Sequence, residues 1–172
     1  MQTIRIGYIE IEDRVLAEFI NADRKVTYLI TRRMMRRVIN GIAQLLARSS
    51  RAMARAPIDV KAEVLILEHQ SAVQATAASA DSPGPQPAAE PPGPPPELLS
   101  KIDIETHQRL FRLTFTSHGA TAQKLDLSRS ELHRLLASLH KLAHSAAWNL
   151  EDEVDWLKEA DAPFTPPSKA AS

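Results

Sequence analysis

KVTYLITRRMMRRVINGIAQL (Lys25–Leu45) and AQKLDLSRSELHRLLASLHKL (Ala122–Leu142) carry one pattern 97 positions apart. In each, apolar residues first alternate, Tyr28 and Ile30 in one and Leu125 and Leu127 in the other. A hydroxyl residue follows, Thr31 or Ser128, and the apolar spacing then lengthens to three and four. Met35, Val38, Ile39, Ile42 and Leu45 fall on Leu132, Leu135, Leu136, Leu139 and Leu142. A switch from period 2 to period 3.6 across a Ser or Thr is a strand running into a capped helix. Ser128 also has Glu131 three residues on, a capping-box pattern.

The match extends upstream. With a shift of 96, Val15, Ala17 and Phe19 fall on Phe111, Leu113 and Phe115. Ile4, Ile6 and Tyr8 precede the first set, with Ile9 and Ile11 following, and Ile102 and Ile104 precede the second. Turn residues separate the runs at Glu12-Asp13, Asn21-Ala22-Asp23 and Ser117-His118-Gly119. The expected fold is therefore α+β. Two β-β-β-α repeats, each an antiparallel meander followed by a long helix, would pack as one pseudo-symmetric domain. A three-stranded sheet with one helix buries too little alone, so the halves should share a core. The pattern fits a continuous antiparallel sheet and two facing layers equally well.

The chain divides into four segments. Residues 1–76 hold the first half and an extra helix at 59–76, with Asp59 as its cap and Val60, Val64, Leu65 and Leu67 as its apolar set. The VLIL run within it also suits a short strand. Residues 77–97 hold eight of the twelve prolines and read as a solvated linker, partly polyproline II. Residues 98–149 hold the second half. Residues 150–172 hold an acidic amphipathic segment and a tail expected to be disordered. The helix from Thr31 should run to about Ala54, before Pro57.

Composition removes several functions. The chain of 172 residues has 21 Lys+Arg against 21 Asp+Glu, so its formal net charge is zero. That disfavours DNA binding by overall charge. The absence of Cys excludes disulfides, thiol nucleophiles and Cys-ligated metals. MQTIRIGYIEIED lacks an apolar leader core, and no run approaches ~18 apolar residues. A cytoplasmic protein without membrane contact is expected. Gly-rich phosphate loops, GxSxG and paired-carboxylate motifs are missing, so no enzyme and no cofactor are expected.

The zero charge hides a separation. Residues 31–57 contain seven Arg and no acid, +7, while residues 150–161 sum to −5. On one helix, Arg33, Arg37, Arg48, Arg51 and Arg55 would cluster within roughly 60°, opposite the apolar arc. Arg there suits bidentate contact with carboxylate or phosphate. The expectation is an adaptor or regulatory protein docking an acidic protein partner, or its own acidic tail, on this face. A solvated face is the plain alternative, and a nucleic acid is the alternative ligand. Self-association through the tail is a further possibility, with Trp156 and Leu157 as anchors in LEDEVDWLKEAD, and a terminal helix that packs Trp148 and Trp156 on its own core fits the segment equally well. His133, His140 and His144 share roughly 40° of the second long helix, and His140 with His144 form a weak candidate for a metal pair.

Overall fold

The computed structural model describes residues 3–77, 93–119, 122–150 and 154–160. The Pro-rich linker lies largely outside these residues, as do the acidic residues Glu151, Asp152, Glu153 and Asp161 and the C-terminal tail.

The protein is α+β, with a mixed six-stranded sheet and, among the described residues, five α-helices. The strands are β1 (Thr3–Ile9), β2 (Arg14–Ile20), β3 (Lys25–Ile30), β4 (Glu97–Thr106), β5 (Phe111–Ser117) and β6 (Gln123–Leu127). They lie in chain order across one sheet. Neighbours are antiparallel except at the centre, where β3 and β4 run parallel through Tyr28↔Glu97 and Leu29↔Leu98. The sheet is thus continuous but not wholly antiparallel. Gly93 leads the chain to this seam. A side chain there would strike the Lys25 backbone carbonyl, so only glycine permits the approach.

Alternation decides which face is covered. Val15, Ala17 and Phe19 of β2 are buried, while Arg14, Leu16, Glu18 and Ile20 between them are half-buried on the other face. Phe111, Leu113 and Phe115 play the buried role in β5. An irregularity at Leu99/Lys101 resets the register of β4, so that Ile102 and Ile104 oppose Phe115 and Leu113. Ile11, which continues the apolar run on paper, is 94% exposed in the 3-10 turn Glu10–Glu12.

Two long helices cover the inner face, α1 (Arg32–Ser49) and α4 (Arg129–Ser145). Met35 and Val38 of α1 and Leu135 and Leu139 of α4 meet Ile4, Ile6, Ala17, Ile30, Ile102, Leu113 and Phe115 of the sheet. Thr31 caps α1 by accepting the Met34 amide at 3.2 Å. Ser128 and Glu131 form the expected capping box. Arg32 and Arg33 oppose the helix dipole at a cost of a few tenths of a kcal/mol each. Burial of Met35, Ile39, Ile42 and Leu46, each roughly 1.5–3 kcal/mol, far outweighs it.

The first helix stops earlier than its periodicity predicts. Ser50 turns extended, and its Oγ accepts the Met53 amide at 3.0 Å, opening the separate short helix α2 (Arg51–Arg55). A 3-10 turn at Ile58–Val60 follows, then α3 (Lys61–Ala77). VLIL is therefore helical, and Asp59 sits inside the turn rather than capping. Leu67 is 62% exposed, and the buried positions of α3 are Leu65, His69 and Ala72. At the other end, α4 closes with Ala147 at φ 54°. There Trp148 N–H donates to Ala143 O and Ala147 N–H to His144 O. The described part of the tail forms α5 (Asp155–Ala160), which packs on α3.

Candidate functional site

All seven arginines of residues 31–57 are exposed. Arg32 donates to the Asn149 carbonyl at 3.1 Å, and together with Arg33, Arg36 and Leu150 these residues line an open cleft of about 490 Å³. Arg33, Arg37, Arg48, Arg51 and Arg55 have no ion pair or hydrogen-bonded side-chain partner among the described residues. The break at Ser50 places Arg51 and Arg55 on a different axis from the first three. The single stripe expected along one helix therefore becomes two adjoining groups. The physical reason is local: a serine side chain that can cap a new turn competes with continuation of the old one.

The break is held from below by a charged node. Glu68 of α3 accepts from Ser50 Oγ at 3.1 Å and from Arg129 of α4, through Nη2 at 3.0 Å and through Nε. Arg129 Nη2 also donates to the Leu46 carbonyl at 2.7 Å, and Nη1 to Ser49 Oγ at 2.8 Å. Burial pushes the Glu68 carboxyl up, but the hydrogen bonds and charge of Arg129, with help from Ser50, outweigh it and hold the group below its ordinary value. One guanidinium thus ties the end of α1 and the middle of α3 to the start of α4.

Beside this node lies a larger open cleft, about 830 Å³, lined by residues that sequence spacing does not bring together. Arg51 and Arg129 enter from the helices, and His107, Gln108 and Arg109 from the β4–β5 turn, with Phe111 and Glu68 beside them. The turn is tight, closed by His107 N–H to Leu110 O at 2.9 Å, so Gln108 and Arg109 sit at its tip. Arg109 is exposed and unpaired among the described residues. Arg129 carried one readable signal, since a cation directly after a helix cap opposes the dipole unless something pairs with it. Arg109 carried none.

The tail anchors are placed differently. Trp156 and Leu157 are buried in the chain's own core, at 6% and 0% exposure. The Trp156 ring lies edge-on to His69 of α3 and His133 of α4, with centroids 5.5 and 6.4 Å away. His69 Nδ1 and His133 Nδ1 are 3.1 Å apart, so one donates and the other accepts. Burial, followed by the neighbouring His69, holds His133 down at about 4, and it is neutral at pH 7. His133 Nε2 and Trp156 Nε1 are buried with no partner among the described residues. Sequence spacing set His133 on one face with His140 and His144 and left Trp156 open between a docking anchor and a packing residue of its own core; Trp156 takes the second place, and periodicity does not show which helices will meet.

His140 and His144 do approach one another, Nε2 to Nε2 at 3.3 Å, with His140 buried and His144 exposed. Among the described residues no group of three or more His, Asp or Glu could hold a metal ion. Among them, too, no helix is long and apolar enough to cross a membrane. Comparison of the chain with protein-family models, with curated proteins and with solved structures finds no match.

Proposed function

We propose that this chain is a non-enzymatic, cytoplasmic docking protein whose arginine surface binds an acidic segment of a protein partner. The observation that carries the reading is the state of Arg33, Arg37 and Arg48 on α1 and of Arg51 and Arg55 beyond the break. They are exposed and lack a partner among the described residues, on helices with no acid of their own. Seven arginines on two adjoining helices exceed what solubility asks of so small a surface.

Two further observations favour an acidic protein segment over nucleic acid or the chain's own tail. Every described Phe, Tyr and Trp ring belongs to the core or packs against it, which leaves none of them to stack on bases. Trp156 and Leu157 are spent on α3 and α4, so the tail's anchoring residues are not available to the α1 face. We also propose that the two β-β-β-α stretches descend from one duplicated unit. Thr31 and Ser128 both cap the helix that follows the third strand of their set, and the two helices then pack on each other.

The test is a titration of a labelled Glu-rich peptide at low and moderate salt. Binding should weaken with salt, and Arg33→Glu, Arg37→Glu and Arg48→Glu together should weaken it about tenfold or more. Undetectable peptide binding at low salt, or tighter binding of an oligonucleotide than of the peptide, would overturn the reading.

A further inference from the structure

The cleft between the helix break and the β4–β5 turn goes beyond that reading. It shares Arg51 with the arginine surface but draws its other residues from outside it, and its charge is arranged differently. Glu68 and Arg129 neutralise one another within it, Glu68 accepting also from Ser50 and Arg129 donating also to Leu46 and Ser49. Arg51 and Arg109 remain uncompensated, one at the start of α2 and one at the hairpin tip. They come from distant parts of the chain and face one concavity of about 830 Å³. Thr106 and Gln108 add neutral hydrogen-bonding groups, and His107 adds an imidazole.

We propose that this cleft binds a phosphate-monoester dianion. Two otherwise unpaired guanidinium groups on one cleft match a ligand that carries about −1.5 to −2 charge on one centre, whereas a lone carboxylate supplies half of that. Arginine forks present paired N–H groups to phosphate oxygens. Arg129 adds to the match: of its five donors, four are committed to Glu68, Leu46 and Ser49, and one Nη1 hydrogen remains. Its guanidinium is therefore fixed in place before any ligand arrives, and ordering it costs nothing on binding. The neutralised Glu68 explains how a carboxylate is tolerated at an anion site. A phosphorylated small molecule and a phosphorylated side chain share this chemistry, and the cleft volume lies in the range that holds a nucleotide-sized ligand.

The experiment titrates the full chain with adenosine monophosphate, phosphoserine and inorganic phosphate, with dimethyl phosphate as the monoanionic control. Saturable binding of at least one monoester at pH 7.5, tighter than that of dimethyl phosphate, supports the site. Preference for the nucleotide assigns it to small molecules, and preference for phosphoserine assigns it to a modified side chain. Arg109→Ala, an exposed turn substitution that the fold tolerates, should weaken the monoester by tenfold or more while leaving Glu-rich peptide binding intact. The triple α1 variant should do the reverse, so the two proposals fail separately. Absence of monoester binding, equal binding of dimethyl phosphate, or indifference to Arg109→Ala would each overturn it.

Discussion

Ala147 occupies a backbone conformation that an L-residue adopts at a cost. Its φ of 54° is what lets Trp148 N–H reach Ala143 O and end α4 in a tight reversal. Glycine is the usual residue there, and alanine costs roughly 1–2 kcal/mol in that region. Ala147→Gly should therefore stabilise the protein, by about 0.5–1 kcal/mol once the greater freedom of glycine in the unfolded chain is subtracted. Urea unfolding checks the sign, and a loss of stability would show that the alanine methyl packs usefully. The reversal matters because it aims Trp148 back at the β1–β2 turn. There its Nε1 donates to Asp13 Oδ1 at 2.5 Å, while Tyr8 donates to the same oxygen at 2.8 Å. Those hydrogen bonds, Trp148 first, hold the Asp13 carboxyl below its usual range. Residue-level devices were unequally legible. Thr31 and the Ser128–Glu131 pair act on their own helices, so their spacing reveals them. Ser50 also caps locally, through the Met53 amide, but it stands inside apolar spacing that runs on past it, and no glycine marks the reversal at Ala147.

Among the elements, α5 rests against a pair of buried histidines. It lays Trp156 over His69 and His133, with Glu68 and Arg129 as the charged groups nearest to His133. Since the folded-state value of His133 is lowered to about 4, the unfolded chain takes up its proton first as pH falls. Stability from this residue is complete above the ordinary histidine value near 6.5 and is lost progressively between about 6.5 and 4, on the order of 2–3 kcal/mol in all. Trp fluorescence followed through urea at pH 7.5, 5.5 and 4.5 should show that loss, and His133→Gln should flatten it. An unchanged slope in the variant would assign the acid sensitivity elsewhere. The existence of α3 and α4 was readable from apolar spacing, but which α3 side chains are buried was not. A histidine occupies a core position there and Leu67 points outward, because α5 and α4, rather than α3's own pattern, decide what is covered.

At the scale of the molecule, alternation and its switch to helical spacing were enough to indicate an α+β fold. They could not indicate that the third and fourth strands would run side by side in the same direction, since strand pairing between distant segments leaves no local trace. The arginines were legible as a charge excess. Their division by the Ser50 break and their meeting with Arg109 were not. The zero net charge of the sequence conceals this arrangement, in which the described tail lies on α3 and the arginines of α1 and α2 stay exposed. The central seam has a further consequence, for the order of assembly. β1 to β3, and β4 to β6, join through short connections and close quickly. The β3–β4 ladder, by contrast, has two paired positions and can form only after the whole stretch from α1 through the Pro-rich segment has been looped back. It should be the last part of the sheet to form and the first to open. Native-state hydrogen exchange should find the amides that β3 and β4 direct at one another opening well below the free energy of those in β2 and β5. Equal protection across the sheet would mean that the halves unfold as one unit. If the seam opens alone, each half can close its β3 or β4 edge against the complementary edge of another copy, an exchange of partners that would lengthen the sheet from one molecule into the next.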